Sequence, residues 1–286
     1  MSAPGRPKRD GTSAGDLVRS PLGRAAKYPE RHDPELLFSI ERAPQRALLG
    51  LDGALPFGGV DLWTAYEVSW LDAAGKPQVA IATFAVPAAS PRIIESKSVK
   101  LYLAGLNLTR FGAEADITAT LARDLSRAAG APIEVTLGKP RGNKAWPHSD
   151  LAGICIDALP IAVDSFRPLP EALTAAGRVR SETLYSRLFR SVCPVTGQPD
   201  YACVQIAYRG RRIDRAGLLR YLVSFRRHPG FHEHCVERMF ADVWLRCQPE
   251  TLSVYARFTR RGGIDINPYR SSGGGRPPVR VRTARQ

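Results

Sequence analysis

The alternation of apolar and polar positions carries the chain twice through one plan. Residues about 60–71 and 77–87 read as strands, the second being Gln78-Val79-Ala80-Ile81-Ala82-Thr83-Phe84-Ala85-Val86, with Gly75-Lys76-Pro77 as the turn before it. After Glu95-Ser96-Lys97-Ser98 the spacing becomes that of a helix through Val99, Tyr102, Leu103 and Leu106, for which Ser96 or Ser98 is the expected N-cap. A second helix is predicted over about 114–128 and closes at Ala129-Gly130. Ile133-Glu134-Val135-Thr136-Leu137 reads as a strand, and a last strand of this half is expected within 151–165.

The second half predicts strands at about 179–191 and 202–208, where Val204, Ile206 and Tyr208 alternate with Cys203, Gln205 and Ala207. Helices follow at about 214–227, with Leu218, Leu222 and Phe225 on one face, and at about 231–247, with His232, Val236, Met239 and Val243 on one face. Leu252-Ser253-Val254-Tyr255-Ala256-Arg257-Phe258 alternates as a strand, and Arg261-Gly262-Gly263 turns the chain into a short final one. Each half thus reads strand–strand–helix–helix–strand–strand, an α+β fold of two tandem modules, although residue-level similarity between the halves is negligible. The expected boundaries are a basic, partly disordered arm over residues 1–45, a first module over 46–170, and a second over 171–286. The first ~15 residues and a basic tail from about 271 are rich in Gly, Pro and Arg and are expected to lack order.

Composition changes this picture in three places. No apolar run approaches the ~20 residues of a membrane span, and the basic start has no apolar signal segment, which predicts a soluble cytoplasmic protein. The five cysteines, Cys155, Cys193, Cys203, Cys235 and Cys247, are an odd, unpaired set that suits a reducing compartment. Of the net charge of +14, residues 1–32 hold +4 and residues 257–286 hold +7, so +11 is terminal. Such ends serve as solvated arms or attract an anionic partner.

Candidate chemistry begins at Ser191-Val192-Cys193-Pro194-Val195-Thr196-Gly197-Gln198-Pro199-Asp200, a run that cannot continue a strand or helix. Cys193 and Asp200 are therefore loop-borne, and a thiol beside a proton donor suits covalent addition to an electrophilic carbon. A small buried Cys and a turn Asp would need no function. Phe231-His232-Glu233-His234 opens a helix after Pro229-Gly230 and could offer a donor and a carboxylate to a polar heterocycle. Zinc spacing is not clean here, because the Pro-Gly break separates His228 from His232. Glu95 precedes a helix N-terminus and either caps it or accepts from a ligand's ring N–H groups. Lys97 and Lys100 could simply face water. Arg260-Arg261-Gly262-Gly263 combines fixed charge with a closely approachable backbone, which suits a phosphate. Neither G-x-G-x-x-G nor G-x-x-x-x-G-K-[ST] occurs.

Glu95-Ser96-Lys97-Ser98-Val99-Lys100-Leu101-Tyr102-Leu103 resembles the signature of the QueF family, the NADPH-dependent 7-cyano-7-deazaguanine reductases of queuosine biosynthesis. Cys193 to Asp200, Tyr221 to Arg226, Phe231-His232-Glu233, Cys235 to Arg238, and Leu252 to Asn267-Pro268 resemble it as well, in the order of its longer two-module branch. Ala104-Gly105-Leu106 departs from the more polar sequence expected there.

The resemblance implies a tunnelling fold similar to GTP cyclohydrolase I, with ββααββ modules whose sheets join into a barrel and sites between modules, and a homodimer. It implies that Cys193 adds to the substrate nitrile as a thioimide while Asp200 donates the proton, with two NADPH consumed per aminomethyl product. Ile94, Glu95, Ser96, His232 and Glu233 would bind the deazaguanine, and Ser96, Lys97, Arg261 and Gly262 would bind NADPH. Neither a metal nor direct nucleic-acid binding is implied. Parts of the sequence also fit a metal-dependent tunnelling-fold cyclohydrolase or hydrolase of a pterin-like base, an RNA-binding module built on the basic ends, or a thiol redox protein pairing Cys193 with Cys203 or Cys235.

Overall fold

The computed structural model describes residues 28–139, 148–274 and 281–286. In chain order the elements of the first half are β1 (Ser39–Glu41), α1 (Ala43–Ala47), β2 (Gly58–Leu71), β3 (Pro77–Pro87), β4 (Arg92–Ile94), α2 (Ser96–Ala104), α3 (Glu114–Ala129), β5 (Glu134–Gly138) and β6 (Ile154–Cys155). The second half supplies β7 (Ala175–Val192), β8 (Pro199–Ile213), α4 (Arg215–Ser224), α5 (His232–Cys247), β9 (Thr251–Phe258) and β10 (Ile264–Ser271). Eight strands form one mixed sheet in the order β5-β3-β2-β10-β9-β8-β7-β6, while β1 and β4 pair separately.

Side-chain alternation decides which face of the sheet the helices cover. On β3, Ala80, Ala82, Phe84 and Val86 are buried under α2 and α3 with Ile117, Leu121 and Leu125. On β2 the same face holds Trp63 and Ala65, then Val68 and Trp70, because the pairing with β3 slips between Ala65 and Val68. This bulge adds one residue and shifts the buried phase from odd to even positions. The helices α4 and α5 cover Val204, Ile206, Val254, Ala256 and Phe258 in the same way, with Met239, Phe240 and Val243 fully buried. Each buried Val, Ile, Phe or Met among them contributes about 1.5–3 kcal/mol of burial. The opposite face of the sheet carries Tyr185, Cys203, Tyr255 and Tyr269.

The halves are stitched by β2 and β10, which pair antiparallel from Ile264↔Ala65 to Ser271↔Gly58. Four expectations need correction. The last strand expected in the first half is only Ile154–Cys155, and it lies parallel to β7 at the far edge rather than beside β5. The N-cap of α2 is Glu95, not a serine: its carboxylate accepts from the amides of Lys97 at 2.6 Å and Ser98 at 2.8 Å. A carboxylate takes two helix donors where a hydroxyl takes one, and it suits the positive helix end. Of the arm expected over residues 1–45, the first 27 lie outside the described residues, but Arg42 is buried and Ile40 lies in the core. Finally, the tail expected from about 271 is ordered where it is described: Ser271 completes β10, and Thr283 and Gln286 are buried.

Candidate active site

The hairpin between β7 and β8 is closed by the Cys193 amide donating to Gln198 O at 2.8 Å and the Gly197 amide donating to Cys193 O at 2.9 Å. This places Cys193 just past the end of β7, in the expected loop, whereas Asp200, expected on the loop as well, lies on β8 opposite Ser191, because the strands extend into the run at both ends. The turn before α5 is fastened to the same hairpin, since Val192 N donates to His228 O at 3.0 Å and Gly230 N to Val192 O at 3.1 Å. A Cβ at Gly230 would stand 3.1 Å from Cys235 Sγ, so the close approach needs glycine. Between β9 and β10, Arg261 pairs with Ile264 across a two-residue turn whose Gly262 and Gly263 have φ of +59° and +78°, the geometry of a hairpin turn that favours glycine at both positions.

These loops meet the first half in one cavity of about 640 Å³, part of it open to solvent. Ile94, Ser96 and Lys100 come from the first half; Cys193, Pro194, Asp200, Phe231, His232, Glu233, Thr259, Arg261, Ile264 and Ile266 come from the second. Of the residues singled out from sequence, Ile94, Ser96, Cys193, Asp200, His232, Glu233 and Arg261 share these walls. Glu95 does not: it is fully buried behind them as the helix cap, and burial raises its carboxyl despite the two amides. Lys97 sits half-buried in the first turn of α2 and outside the cavity wall, and Gly262 lines an adjoining cavity with Glu67, Lys100, Asn107 and Ile264.

Lys100, which with Lys97 could simply have faced water, lines both cavities. The available signal was its spacing: four residues after Ser96 it lies on the same helix face. Burial, then the nearby Arg261, pull its ammonium below the ordinary value.

Asp200 is 4% exposed and is bonded by Arg261, which also bonds Gln198. His232 Nε2 stands 3.5 Å from the same Asp200 oxygen, and the His232 ring stacks on Phe258 at 3.8 Å between centroids and 11° between planes. Burial would raise the Asp200 carboxyl, but His232 and then Arg261 outweigh it and hold the group below the usual carboxylate range. Glu233 behaves oppositely: burial, and then the Asp61 carboxylate, push it up to about 7. The site thus holds one carboxyl that ionises readily and one that titrates near neutrality, an arrangement typical of reacting sites.

Behind Glu233 lies a buried ion cluster. Asp61 on β2 accepts from Arg42 at 2.5 Å and Arg270 at 2.7 Å, and Glu237 on α5 accepts from Arg46 at 2.7 Å, Arg270 at 2.9 Å and Arg42 at 3.3 Å. Among the described residues no three His, Cys, Asp or Glu side chains gather as a metal site would require.

Two family models match the chain: residues 28–137 match "Nitrile reductase, 7-cyano-7-deazaguanine-reductase N-term", and residues 199–276 match "QueF-like protein". A protein of Bordetella avium named NADPH-dependent 7-cyano-7-deazaguanine reductase is 56% identical over 94% of this chain and 99% of its own length. Proteins of the same name from Chromobacterium violaceum and Chromohalobacter salexigens are 55% and 51% identical, over 93% and 94% of this chain and 96% and 98% of their own lengths. Identity of this degree along nearly the whole chain, with both family models in order, leaves one conclusion: the chain belongs to the NADPH-dependent 7-cyano-7-deazaguanine reductase family.

Proposed function

We propose that this protein reduces 7-cyano-7-deazaguanine to 7-aminomethyl-7-deazaguanine, and the observation that carries the reading is the single cavity in which Cys193, Asp200, His232 and Glu233 meet Ile94 and Ser96. A nitrile carbon is a weak electrophile, so attack by sulfur needs a proton delivered to nitrogen as the S–C bond forms. Asp200, ionised in the resting site, takes the Cys193 thiol proton and returns it to the nitrile nitrogen. One C–N π bond breaks, and a neutral thioimide on Cys193 results. His232 keeps Asp200 oriented, and the Glu233 carboxylate receives the adjacent N–H donors of the base. Ile94, Ile264 and Ile266 offer the ring its apolar contacts, with Ser96 at their edge.

In this reading the cofactor would approach the nitrile from the side of the adjoining cavity, which meets the first at Lys100 and Ile264. A Cβ at Gly262 would lie 3.2 Å from the Lys100 side chain, so the bare backbone there leaves room for a close ligand. Ser96, Lys97, Arg261 and Gly262 would hold NADPH, with the cations suited to its phosphates. NADPH would supply hydride twice per amine formed, first to the thioimide carbon, after which the C–S bond breaks and Cys193 leaves as the thiol to give an imine, and then to the imine carbon, a proton reaching nitrogen each time. Replacing Arg261 with Ala should raise the KM for NADPH about 10–100-fold, the worth of one charge-assisted contact, while the KM for the nitrile changes little. An unchanged NADPH KM would remove Arg261 from the cofactor site.

The pH dependence follows from Glu233, whose value of about 7 lies above the ordinary 4.5. The base needs the carboxylate, so nitrile affinity should rise as pH rises through about 7, and Glu233→Gln should lose that limb together with most of the affinity. Stability moves the other way. A carboxyl raised on folding contributes fully below pH 4.5 and loses that contribution as pH rises through about 7. Thermal unfolding of Glu233→Gln against the parent should therefore show a relative gain at pH 8 and none at pH 4.

The wider architecture in this reading is the tunnelling fold, with two modules per chain meeting at the β2–β10 seam. Among the described residues the sheet ends at β5 on one side, and on the other only the two residues of β6 cover β7, so most of both described edges is open to strands of a second copy. A homodimer closing both edges accounts for this. None of the described helices is long and apolar enough to cross a membrane, and the reaction calls for no nucleic-acid partner. The direct test follows NADPH absorbance with 7-cyano-7-deazaguanine, together with the intact protein mass before NADPH is added. Two NADPH oxidised per amine and a mass gain equal to the nitrile are expected; folded protein giving neither turnover nor adduct would refute the reading.

A further inference from the structure

The strand β9 ends at Phe258, the residue whose ring carries His232, and there its ladder with β10 is open. Pairing between β9 and β10 runs from Ser271↔Ser253 to Tyr269↔Tyr255 and stops. The next residue of β10 is Pro268, which has no N–H to continue it. Beyond that point the Phe258 backbone is held by side chains. Its amide donates to Asn267 Oδ1 at 3.2 Å, and its carbonyl accepts from Gln286 Nε2 at 2.9 Å.

Gln286 is well fixed for this task. Its Nε2 also donates to Asn267 Oδ1 at 2.9 Å, and its Oε1 accepts from Arg257 Nε at 2.8 Å and from the Thr283 amide at 3.3 Å. It is 7% exposed, between Arg257 at 2% and Asn267 at 0%. Asn267 and Arg257 belong to the sheet face opposite the helices, since Ile266 and Phe258 on either side point into the helix-covered cores. The β8 side of this end stays tied by the Phe258↔Ala202 pairing and by the Thr259 amide donating to Tyr201 O at 2.9 Å, so an unmade bond to the Phe258 carbonyl would loosen β9 on its β10 side only, just where Thr259 and Arg261 enter the cavity wall.

We propose that Gln286 is a positioning residue for the reaction: from the far side of the sheet it fixes the Phe258 peptide, and through the Phe258 ring it fixes His232 against Asp200. The inference rests on the reading that His232 and Asp200 serve the nitrile. It assigns to residues 281–286 a task in the site, although none of them lines the cavity.

The test uses Gln286→Ala and Gln286→Glu. The glutamate variant keeps the side-chain volume and the acceptor for Arg257 but turns the donor to Phe258 O and Asn267 into an anionic oxygen facing both acceptors, so it separates positioning from a loss of packing volume. Both variants should form the Cys193 adduct and turn over about 10–100-fold more slowly, the cost of a small misplacement at a reacting group, with the KM for NADPH little changed and the variants folded. The second readout does not depend on turnover. The His232 ring proton resonance, assigned by its loss in His232→Gln, lies in the ring current of Phe258 and should shift in both variants. An unmoved His232 resonance would overturn the proposal, as would adduct formation at the parent rate. Should the parent itself form no adduct, the nitrile reading fails, and the His232 resonance still decides whether Gln286 positions that ring.

Discussion

Cys193→Ala should abolish the nitrile adduct and lower turnover by at least about 10⁴-fold, the scale on which removing a nucleophile from a concerted site acts. Cys193 is the sulfur in the cavity wall, and no other cysteine can replace it. Cys203 and Cys247 are buried elsewhere, Cys235 is buried behind Gly230 and does not line the cavity, and Cys155 is half-buried on the short edge strand. Burial pushes the Cys235 thiol up to about 12, so it stays protonated and inert at neutral pH. The Ala variant should melt close to the parent, because the Cys193 backbone bonds to Gln198 and Gly197 remain. Mass spectrometry with nitrile alone reads the first effect, and NADPH absorbance reads the second. A full-strength adduct on the Ala variant would move the nucleophile to another residue.

Glu237→Ala should cost about 3–5 kcal/mol, the penalty of leaving buried charge without its partner. In a chain of this size that lowers Tm by about 10 °C. Glu237 is fully buried and is the acceptor shared by Arg42, Arg46 and Arg270, while Asp61 serves Arg42 and Arg270 from the other side. Removing it leaves three guanidinium groups facing one carboxylate. Burial opposes ionisation of Glu237, but Arg270, Arg46 and Arg42 overcome it and hold the carboxyl well below the usual range. Its contribution is therefore present above the ordinary value of 4.5 and is lost as pH falls toward the depressed one. The difference in Tm between parent and Glu237→Ala, large at pH 7, should narrow in acid. A Tm difference of a degree or less at pH 7 would mean that the cluster is no net support.

The elements most legible in the sequence were those with one uninterrupted period. On β3, Ala80, Ala82, Phe84 and Val86 keep one phase throughout, and the span read from them is the span observed. β2 was found as an element, but its bulge was not, since a phase change after Ala65 looks locally like a weaker alternation. The two-residue β6 was expected somewhere in the right interval, yet its place beside β7 depends on a parallel pairing that no local pattern encodes. Charge misled at both ends of the chain. In sequence Arg42 reads as part of the basic arm and Gln286 as part of the basic tail, and only the partners Asp61, Glu237 and Phe258, elsewhere in the chain, make them interior. The site was legible wherever a motif carried it, as with Cys193 and Asp200. For Glu95 the sequence leaves capping and ligand binding both open, and for Lys100 it gives no role, because the turn that buries one and turns the other to the cavity is set by helix packing.

The seam between β2 and β10 also sets a timetable. Ala65 pairs with Ile264, a partner made 199 residues later. At about 5–20 residues per second that is a wait of roughly 10–40 s on the ribosome. For that interval the finished first half displays β2 as an unpaired edge with Trp63 and Trp70 beside it, and nothing made so far can bind substrate. Slow synthesis of the second half, or a pause within it, would therefore expose the nascent chain to aggregation and to chaperones long before any site exists to be stabilised by its ligand.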